Sequence, residues 1–333
     1  MPKPKIAING LGRIGRLVFQ ILIDKKNVDI VVVNDIAPND ALVYLLKHDT
    51  AQGKWNKTIT AKENHLFIEE EEIISTSIAE SKNLPWKEYD IDIVVECSGR
   101  LRTKEKLEEH LDAGAKKVIL TAPSKDDLDA MIVLGVNDDA LKPEYTMVSN
   151  ASCTTNCLAP MVKILDDAFG IEKGFMTTVH SYTNDQALLD QPHKDLRRAR
   201  AGAINIIPTT TGAAKAVGKV LPHLNGKLDG FSLRVPTPDG SITDFVCILK
   251  KDVTKDEVNS AFKSASEGAF KNYVEYTEDP IVSTDIVGND HSCIFDSLST
   301  MTNGNLVKVV GWYDNEWGYS CRVVDLTTKF ANM

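Results

Sequence analysis

The strongest chemical signal in the chain is a cysteine set among hydroxyl residues where a helix is about to start. Cys153 lies in Ser149-Asn-Ala-Ser-Cys-Thr-Thr-Asn-Cys157, behind the short extended run Thr146–Ser149. Leu158, Met161, Val162, Leu165 and Phe169 follow with mostly helical spacing, so a helix is expected to begin just after Cys153. Ser152, Thr154 and Thr155 suit that start, because their hydroxyls can accept the free amide hydrogens of a first turn. A thiol at the positive end of a helix is expected to ionise readily and act as a nucleophile. Pro160 removes a hydrogen bond to the carbonyl of Asn156, and a bend is expected there. A lone cysteine is more often a small buried hydrophobe. Cys157, one turn on, lacks the setting of Cys153 and reads as structural.

A nucleophilic thiol calls for a base or an imidazolium partner. Of the seven histidines, His180 leads modestly, because it ends the β-rich run Gly174–Thr183 beside Ser181, Tyr182 and Thr183. His110 lies on a charged helix face and is expected to be solvated. Anions have candidate receptors in Thr209–Gly212, which offers hydroxyls and amides before a helix, and in Arg198 and Arg234. Arg198 sits in the Arg-rich stretch Arg197-Arg-Ala-Arg200; Arg234 sits in a strand, where an isolated Arg needs a partner. The alternative for each Arg is a salt bridge, since acids outnumber bases. A nucleic-acid patch lacks the aromatic interleaving it would need.

A second constellation opens the chain. Lys5–Asn9 reads as a buried strand, Gly10-Leu-Gly12-Arg-Ile-Gly15 follows at once, and Arg16–Asp24 reads as a helix. Val28–Asn34 is the next strand, ending at Asp35, 20 positions after Gly15. Strand, glycine turn, helix and a following acidic residue are the context that a dinucleotide site requires. Gly10 allows the tight turn, Gly12 lets a pyrophosphate approach the backbone, and Gly15 permits close helix–strand packing. The helix start supplies amide donors, and Asp35 can accept from both ribose hydroxyls. The competing reading is a glycine-rich turn of some other α/β fold.

The elements that must position these groups fall into two textures. Up to about residue 150, strands alternate with helices: Pro38–His48 and Thr103–Leu111 are helical, and Ile91–Cys97, Lys117–Thr121, Met131–Gly135 and Tyr145–Ser149 are strands. Short strands between Lys57 and Thr76 look antiparallel. Ser98, Gly99 and Thr121, at strand ends, would line the crevice in which open α/β sheets bind ligands. After residue 150 longer strands and excursions suggest a mixed sheet. The expected fold is α/β: a Rossmann-type doubly wound parallel sheet over residues 1–150 and an α+β catalytic domain over 151–315. With 333 residues, 43% of them hydrophobic, two domains with real cores are expected. The net charge, 38 minus 47 or −9, disfavours general nucleic-acid or membrane-surface binding. No apolar run approaches the roughly 20 residues of a membrane helix. The start, Met-Pro-Lys-Pro-Lys, carries no apolar signal core. Six scattered cysteines show no metal-ligand spacing, and no metal is expected. A reduced cytoplasmic protein is the simplest expectation.

Ser-Asn-Ala-Ser-Cys-Thr-Thr-Asn-Cys-Leu-Ala-Pro closely resembles the active-site signature of the phosphorylating glyceraldehyde-3-phosphate dehydrogenases. The resemblance extends over nearly the whole chain, through Ile-Asn-Gly-Leu-Gly-Arg-Ile-Gly-Arg, Val-His-Ser-Tyr-Thr, Pro-His-Lys-Asp-Leu-Arg-Arg-Ala-Arg, Thr-Thr-Thr-Gly-Ala-Ala-Lys and Trp-Tyr-Asp-Asn-Glu-Trp-Gly-Tyr. It implies oxidative phosphorylation of D-glyceraldehyde 3-phosphate with NAD and inorganic phosphate, a glycolytic reaction. Cys153 would be the nucleophile and His180 its activator. Gly10, Gly12, Gly15, Arg13, Ile14, Asp35, Thr121 and Asn315 would serve NAD. Ser152, Thr154, Thr183, Arg198, Thr211, Gly212 and Arg234 would hold two phosphate groups. The resemblance also implies a homotetramer, with the last helix, 316–333, packed back on the cofactor domain. Leu11 stands where Phe is common. An erythrose-4-phosphate dehydrogenase, releasing its product with water, and a redox-sensing or RNA-binding protein without turnover are the alternatives.

Overall fold

Ile6, Ala7 and Ile8 are fully buried, and their strand, Lys5–Asn9, lies near the middle of a nine-stranded sheet. The structure is a computed structural model and describes residues 2–333. Across the sheet run Ala130–Met131, Met147–Ser149, Lys117–Leu120, Ile93–Glu96, Lys5–Asn9, Asp29–Asn34 and Glu71–Thr76, all mutually parallel. His65–Ile68 and Ile59–Lys62 close one edge in antiparallel pairing. Near-continuous apolar strands such as Ile93-Val-Val suit a parallel sheet buried on both faces. This is the Rossmann-type sheet expected from the alternation of strands and helices. The helix Lys104–Asp112 is capped as its sequence suggests, the Thr103 hydroxyl accepting from the Lys106 amide.

This unit comprises the chain up to Ile132, Asp139–Ala151 and Ser320–Met333. Its last contribution is most of the helix Trp317–Ala331, whose Val323, Val324, Leu326 and Phe330 are buried. Lys25 Nζ lies 2.8 Å from Asp325 Oδ1, Asn27 Nδ2 donates to Thr328 Oγ1 at 2.9 Å, and Lys117 Nζ donates to the Phe330 carbonyl at 2.9 Å.

Two expectations are corrected here. Met131–Gly135 was expected as a strand, but only Ala130–Met131 pairs in the sheet. From Val133 the chain turns, its amide donating to Asn137 Oδ1 at 2.8 Å. Val133 and Leu134 are buried all the same, so the apolar run reports burial and not strand pairing. His110, expected to be solvated, is completely buried, with Trp86 Nε1 donating to its Nδ1 at 3.0 Å. Its charged neighbours on the helix hid an inward position.

The second unit, Val133–Asp138 and Ser152–Tyr319, is built on an eight-stranded mixed sheet. Its path runs Ile207–Thr210, Leu228–Val235, Ile171–Ser181, Ser241–Leu249, Leu306–Tyr313, Cys293–Asp296, Val274–Thr277, with Met301–Asn303 paired on Leu306–Tyr313. Ile171–Ser181 pairs in parallel with Leu228–Val235 and antiparallel with Ser241–Leu249. The helix Cys153–Phe169 buries Leu158, Met161, Val162 and Leu165 and continues through Pro160. Gly311 lets this helix close on the sheet. A Cβ there would stand 2.6 Å from Met161 Sδ and 2.7 Å from Cys293 Sγ, inside any allowed contact.

Candidate active site

Ser152 starts the helix that carries the thiol. Its hydroxyl accepts from the Thr155 amide at 3.0 Å, which makes Cys153 the first helical residue. His180 stands near the end of the strand Ile171–Ser181, and its Nε2 lies 3.4 Å from Cys153 Sγ. The other ring nitrogen, Nδ1, is 2.7 Å from the Ser181 carbonyl. The Ser181 carbonyl can only accept and is the nearer neighbour, so the ring proton sits on Nδ1 and the Nε2 lone pair faces the sulfur, which leaves Arg234 Nη1, itself a donor, unbonded to Nδ1. Burial, and next the Arg234 guanidinium, lower His180 to about 3. Burial pushes the Cys153 thiol up to about 11, against the pull of Arg234, of the Thr154 amide and hydroxyl, and of its own amide. The resting pair is therefore a thiol donating to a neutral imidazole. The helix start is where the sequence puts it, and burial opposes its pull on the thiol.

Arg234 faces His180 across the parallel pairing of their strands. Its Nη1 lies 3.0 Å from His180 Nδ1 and donates to the Ser181 carbonyl at 3.1 Å and to Thr183 Oγ1 at 3.2 Å. The two oxygens are neutral acceptors, and the protonated Nδ1 accepts nothing from Arg234. Arg198 differs: it is ion-paired with Asp185, and its Nε donates to Thr209 Oγ1 at 2.9 Å. The Thr183 hydroxyl in turn donates to Asp185 Oδ1 at 2.5 Å. Burial would raise the Asp185 carboxyl, but Thr183 and Arg198 hold it below the usual carboxylate range. The structure thus joins Arg234, Thr183, Asp185 and Arg198 in one network beside the thiol–imidazole pair. Ile207 pairs with Arg234, and the same strand leads into Thr211, whose hydroxyl accepts from the Ala213 amide at 3.2 Å. Gly212 precedes the helix Ala213–Val220, and a Cβ on it would meet nothing within 4 Å.

The surroundings of the thiol include groups that the residue types alone did not single out. Thr154, expected to hold phosphate, has a buried side chain whose hydroxyl lies 2.9 Å from the Tyr313 hydroxyl. Tyr313 itself was not singled out. Its hydroxyl also meets Thr178 Oγ1 at 2.8 Å, and its ring stands edge-on to His180 with centroids 5.9 Å apart. The signal was there: Tyr313 continues the inward alternation of Val307 and Val309, and an inward Tyr needs a partner for its hydroxyl. Asn315 accepts at Oδ1 from Ser181 Oγ (2.9 Å) and Ser241 Oγ (2.6 Å), which fixes the direction of its amide. Beside it, Asp314 accepts from the Gly288, Glu316 and Trp317 amides. Burial, and next the charge of Asp314, hold the buried carboxyl of Asp239 well above its usual range.

The first unit carries the glycine turn. Gly10 has φ +94°, and a Cβ on it would lie 2.6 Å from the Ser98 backbone. A Cβ on Gly15 would lie 1.9 Å from the Gly10 carbonyl oxygen. Gly12, by contrast, opens to free space, and the helix Arg13–Lys25 starts behind it with no side-chain cap. Gly10, Gly12, Asp35, Ile36, Ser98 and Arg100 line a cavity of about 240 Å³. The Asp35 carboxylate accepts from the Leu11 amide at 2.7 Å and the Ala37 amide at 2.8 Å, which holds it at the cavity wall. Ile14 lies in the first helical turn, and the Arg13 guanidinium is ion-paired with Asp49. Thr121 donates its hydroxyl to the Glu96 carbonyl at 2.9 Å. An uncapped helix start, an open glycine and a carboxylate at the end of the next strand fit a dinucleotide.

Residues 4–104 match the family described as glyceraldehyde 3-phosphate dehydrogenase, NAD binding domain, and residues 152–315 match its C-terminal domain. The chain is 54% identical over 331 residues to glyceraldehyde-3-phosphate dehydrogenase 2 of Bacillus subtilis, covering 99% of this chain and 97% of the relative. It is 52% identical to the glyceraldehyde-3-phosphate dehydrogenase of Geobacillus stearothermophilus, over 98% of each chain. It is 54% identical to that of Borreliella burgdorferi, over 98% of this chain and 99% of the other. Fold and likeness together define an NAD-dependent oxidoreductase. The chain belongs to the glyceraldehyde-3-phosphate dehydrogenase family.

Proposed function

We propose that the chain oxidises D-glyceraldehyde 3-phosphate, with NAD and inorganic phosphate, to 1,3-bisphosphoglycerate in glycolysis. The observation that carries this reading is the 3.4 Å approach of Cys153 Sγ to a His180 Nε2 whose lone pair is turned toward it. Cys153 Sγ attacks the aldehyde carbon. His180 Nε2 takes the thiol proton and passes it to the carbonyl oxygen, giving a hemithioacetal. NAD, when bound, supplies the acceptor for the hydride that the hemithioacetal carbon gives up. As that C–H bond breaks, His180 Nε2 takes the hydroxyl proton and a thioester remains on Cys153. A phosphate oxygen then attacks the thioester carbon. The C–S bond breaks, and the sulfur recovers its proton from the imidazolium.

Two anions must be held, one on the substrate and one attacking. Arg234, Thr183 and Arg198 are proposed to supply charge and donors, with Ser152, Thr154, Thr211 and Gly212 adding neutral groups at helix starts. The cofactor is proposed to rest on Gly10, Gly12, Arg13, Ile14 and Gly15, with Asp35 on the ribose diol and Thr121 and Asn315 as further contacts. A cytoplasmic homotetramer is also proposed. Its support is a set of apolar side chains in residues 188–206: Leu188, Leu189, Leu196, Ile204 and Ile206 are 67–82% exposed, a burden that a monomer would not carry in water. Sedimentation equilibrium at micromolar protein measures the mass; a monomer would overturn that part. The reaction is tested by following NADH and acyl phosphate together. Acyl phosphate formed in step with NADH, and turnover nearly abolished without phosphate, is the expected result. Steady release of free acid without phosphate would favour the erythrose-type reaction.

A further inference from the structure

A buried polar chain runs beneath the dinucleotide cavity, and the proposed reaction does not use it. It begins at Trp86, fully buried, whose indole N–H donates to His110 Nδ1 at 3.0 Å. An indole can only donate, so the His110 ring proton sits on Nε2, which donates to Glu96 Oε2 at 3.0 Å. The same oxygen accepts from Asn9 Nδ2 at 2.6 Å. Glu96 Oε1 accepts from both the amide (2.7 Å) and the hydroxyl of Ser98. Beyond Asn9 the direction of donation continues. Asn34 Nδ2 donates to Asn9 Oδ1 at 2.8 Å, and Asn34 Oδ1 accepts from the Ile78 amide at 2.9 Å. Glu96 and His110 are buried, while Asn9, Asn34, Ile78 and Ser98 line the cavity.

We infer that Glu96, fixed by His110 and Trp86, is the positioning residue of the cofactor cavity, acting through Ser98 on one side and the Asn9–Asn34 pair on the other. Glu96 contributes acceptors only, four hydrogen bonds' worth, and so dictates which end of each amide faces which way. Through Ser98 it also sets the surface against which the Gly10 turn is pressed. A glutamine at 96 would bring an N–H₂ against groups that all donate. Asn9 could turn over to accept from it, but Asn34 would then have to turn as well and present N–H₂ to the Ile78 amide. The error would reach the cavity wall. The inference rests on the proposed assignment of this cavity to NAD.

The test is the affinity of the full chain for NAD by calorimetry, alongside thermal melts and the rate of Cys153 alkylation in cofactor-free protein. E96Q is expected to weaken NAD binding tenfold or more, the scale of a disrupted hydrogen bond to a buried charged group, with the alkylation rate unchanged. Two variants separate positioning from packing. H110Q can offer an oxygen to Trp86 and an N–H₂ to Glu96, and is expected to bind NAD within about threefold of the parent. H110L fills the space without that polarity and is expected to lose about tenfold. A folded E96Q with parental affinity overturns the inference. If E96Q does not fold, the histidine pair decides, and H110L binding NAD as well as H110Q overturns it. Failure of the parent protein itself to bind NAD overturns the cavity assignment instead.

Discussion

Arg234 stands directly opposite His180 in the parallel strand pair, with its Nη1 3.0 Å from the imidazole Nδ1. The same guanidinium lowers the basicity of His180 and favours ionisation of Cys153. An anion that neutralises Arg234 would therefore make His180 a better base when substrate or phosphate is in place. Replacing Arg234 with Leu is expected to raise the thiol above about 11 and shift the alkaline limb of Cys153 alkylation to higher pH. Michaelis constants for the phosphate-bearing substrate or for phosphate are expected to rise about 10–100-fold, with NAD affinity unchanged. An unmoved alkylation profile would sever the link between Arg234 and the thiol.

Cys153 is expected to be the first cysteine alkylated. Its thiol is raised, but less than those of Cys247, pushed up to about 12, and of Cys97 and Cys293, pushed higher. Cys157, Cys247, Cys293 and Cys321 are also buried, whereas Cys153 is only half-buried. Peptide mapping after brief iodoacetamide treatment checks this, and first labelling at Cys97 would refute it.

His180→Asn keeps a polar side chain but removes the base. Hydride transfer is expected to slow by about 10²–10⁴-fold, while NAD binding stays near the parent value. Single-turnover NADH formation gives the rate; an unchanged rate removes His180 from the chemistry.

Asp35 can accept from a free ribose diol, and its charge repels a 2′-phosphate. Asp35→Ala is expected to narrow the preference for NAD over NADP by about tenfold or more. Catalytic efficiencies with the two cofactors measure it, and comparable efficiencies in the parent protein would contradict the assignment.

Asp239 makes stability sensitive to alkali. Its folded carboxyl is raised, so the folded chain holds a proton that the unfolded chain has lost once pH exceeds the ordinary carboxylate range. Stability from this group thus falls as pH rises from that range toward the raised value. Asp239→Asn keeps the neutral form at every pH, and its melting temperature is expected to decline less between neutral and alkaline pH. A slope identical to the parent would show that the Asp239 carboxyl is not held above its usual range.

The glycine turn was legible because its parts are contiguous: strand, Gly10, Gly12, Gly15, helix and Asp35 carry their geometry in their spacing. The helix start at Cys153 was legible for the same reason. The pairing of His180 with Arg234 was not, since it depends on the parallel register of two strands that are not consecutive in the chain. Nor was the burial that opposes ionisation of the thiol. Types and spacing announce a helix terminus, but the opposing desolvation depends on how much protein surrounds the sulfur, which no local pattern encodes. His110 and Tyr313 mark the same limit from the other side. A polar residue in a charged or apolar run shows which way it points only when its partner, Trp86 or Thr178, arrives from elsewhere.

The first unit borrows its last helix from the far end of the chain, and this has a consequence for biosynthesis. Val323, Val324, Leu326 and Phe330 belong to the same unit as strands complete by Ser149. At translation speeds of about 5–20 residues per second, roughly 10–35 s separate the emergence of Asn150 from that of Val323. Through that interval the nascent unit holds an uncovered apolar face. Ribosome-bound chains arrested before Val323 should therefore be cut by protease within the first unit and recruit holdase chaperones there. Chains released at full length should do neither.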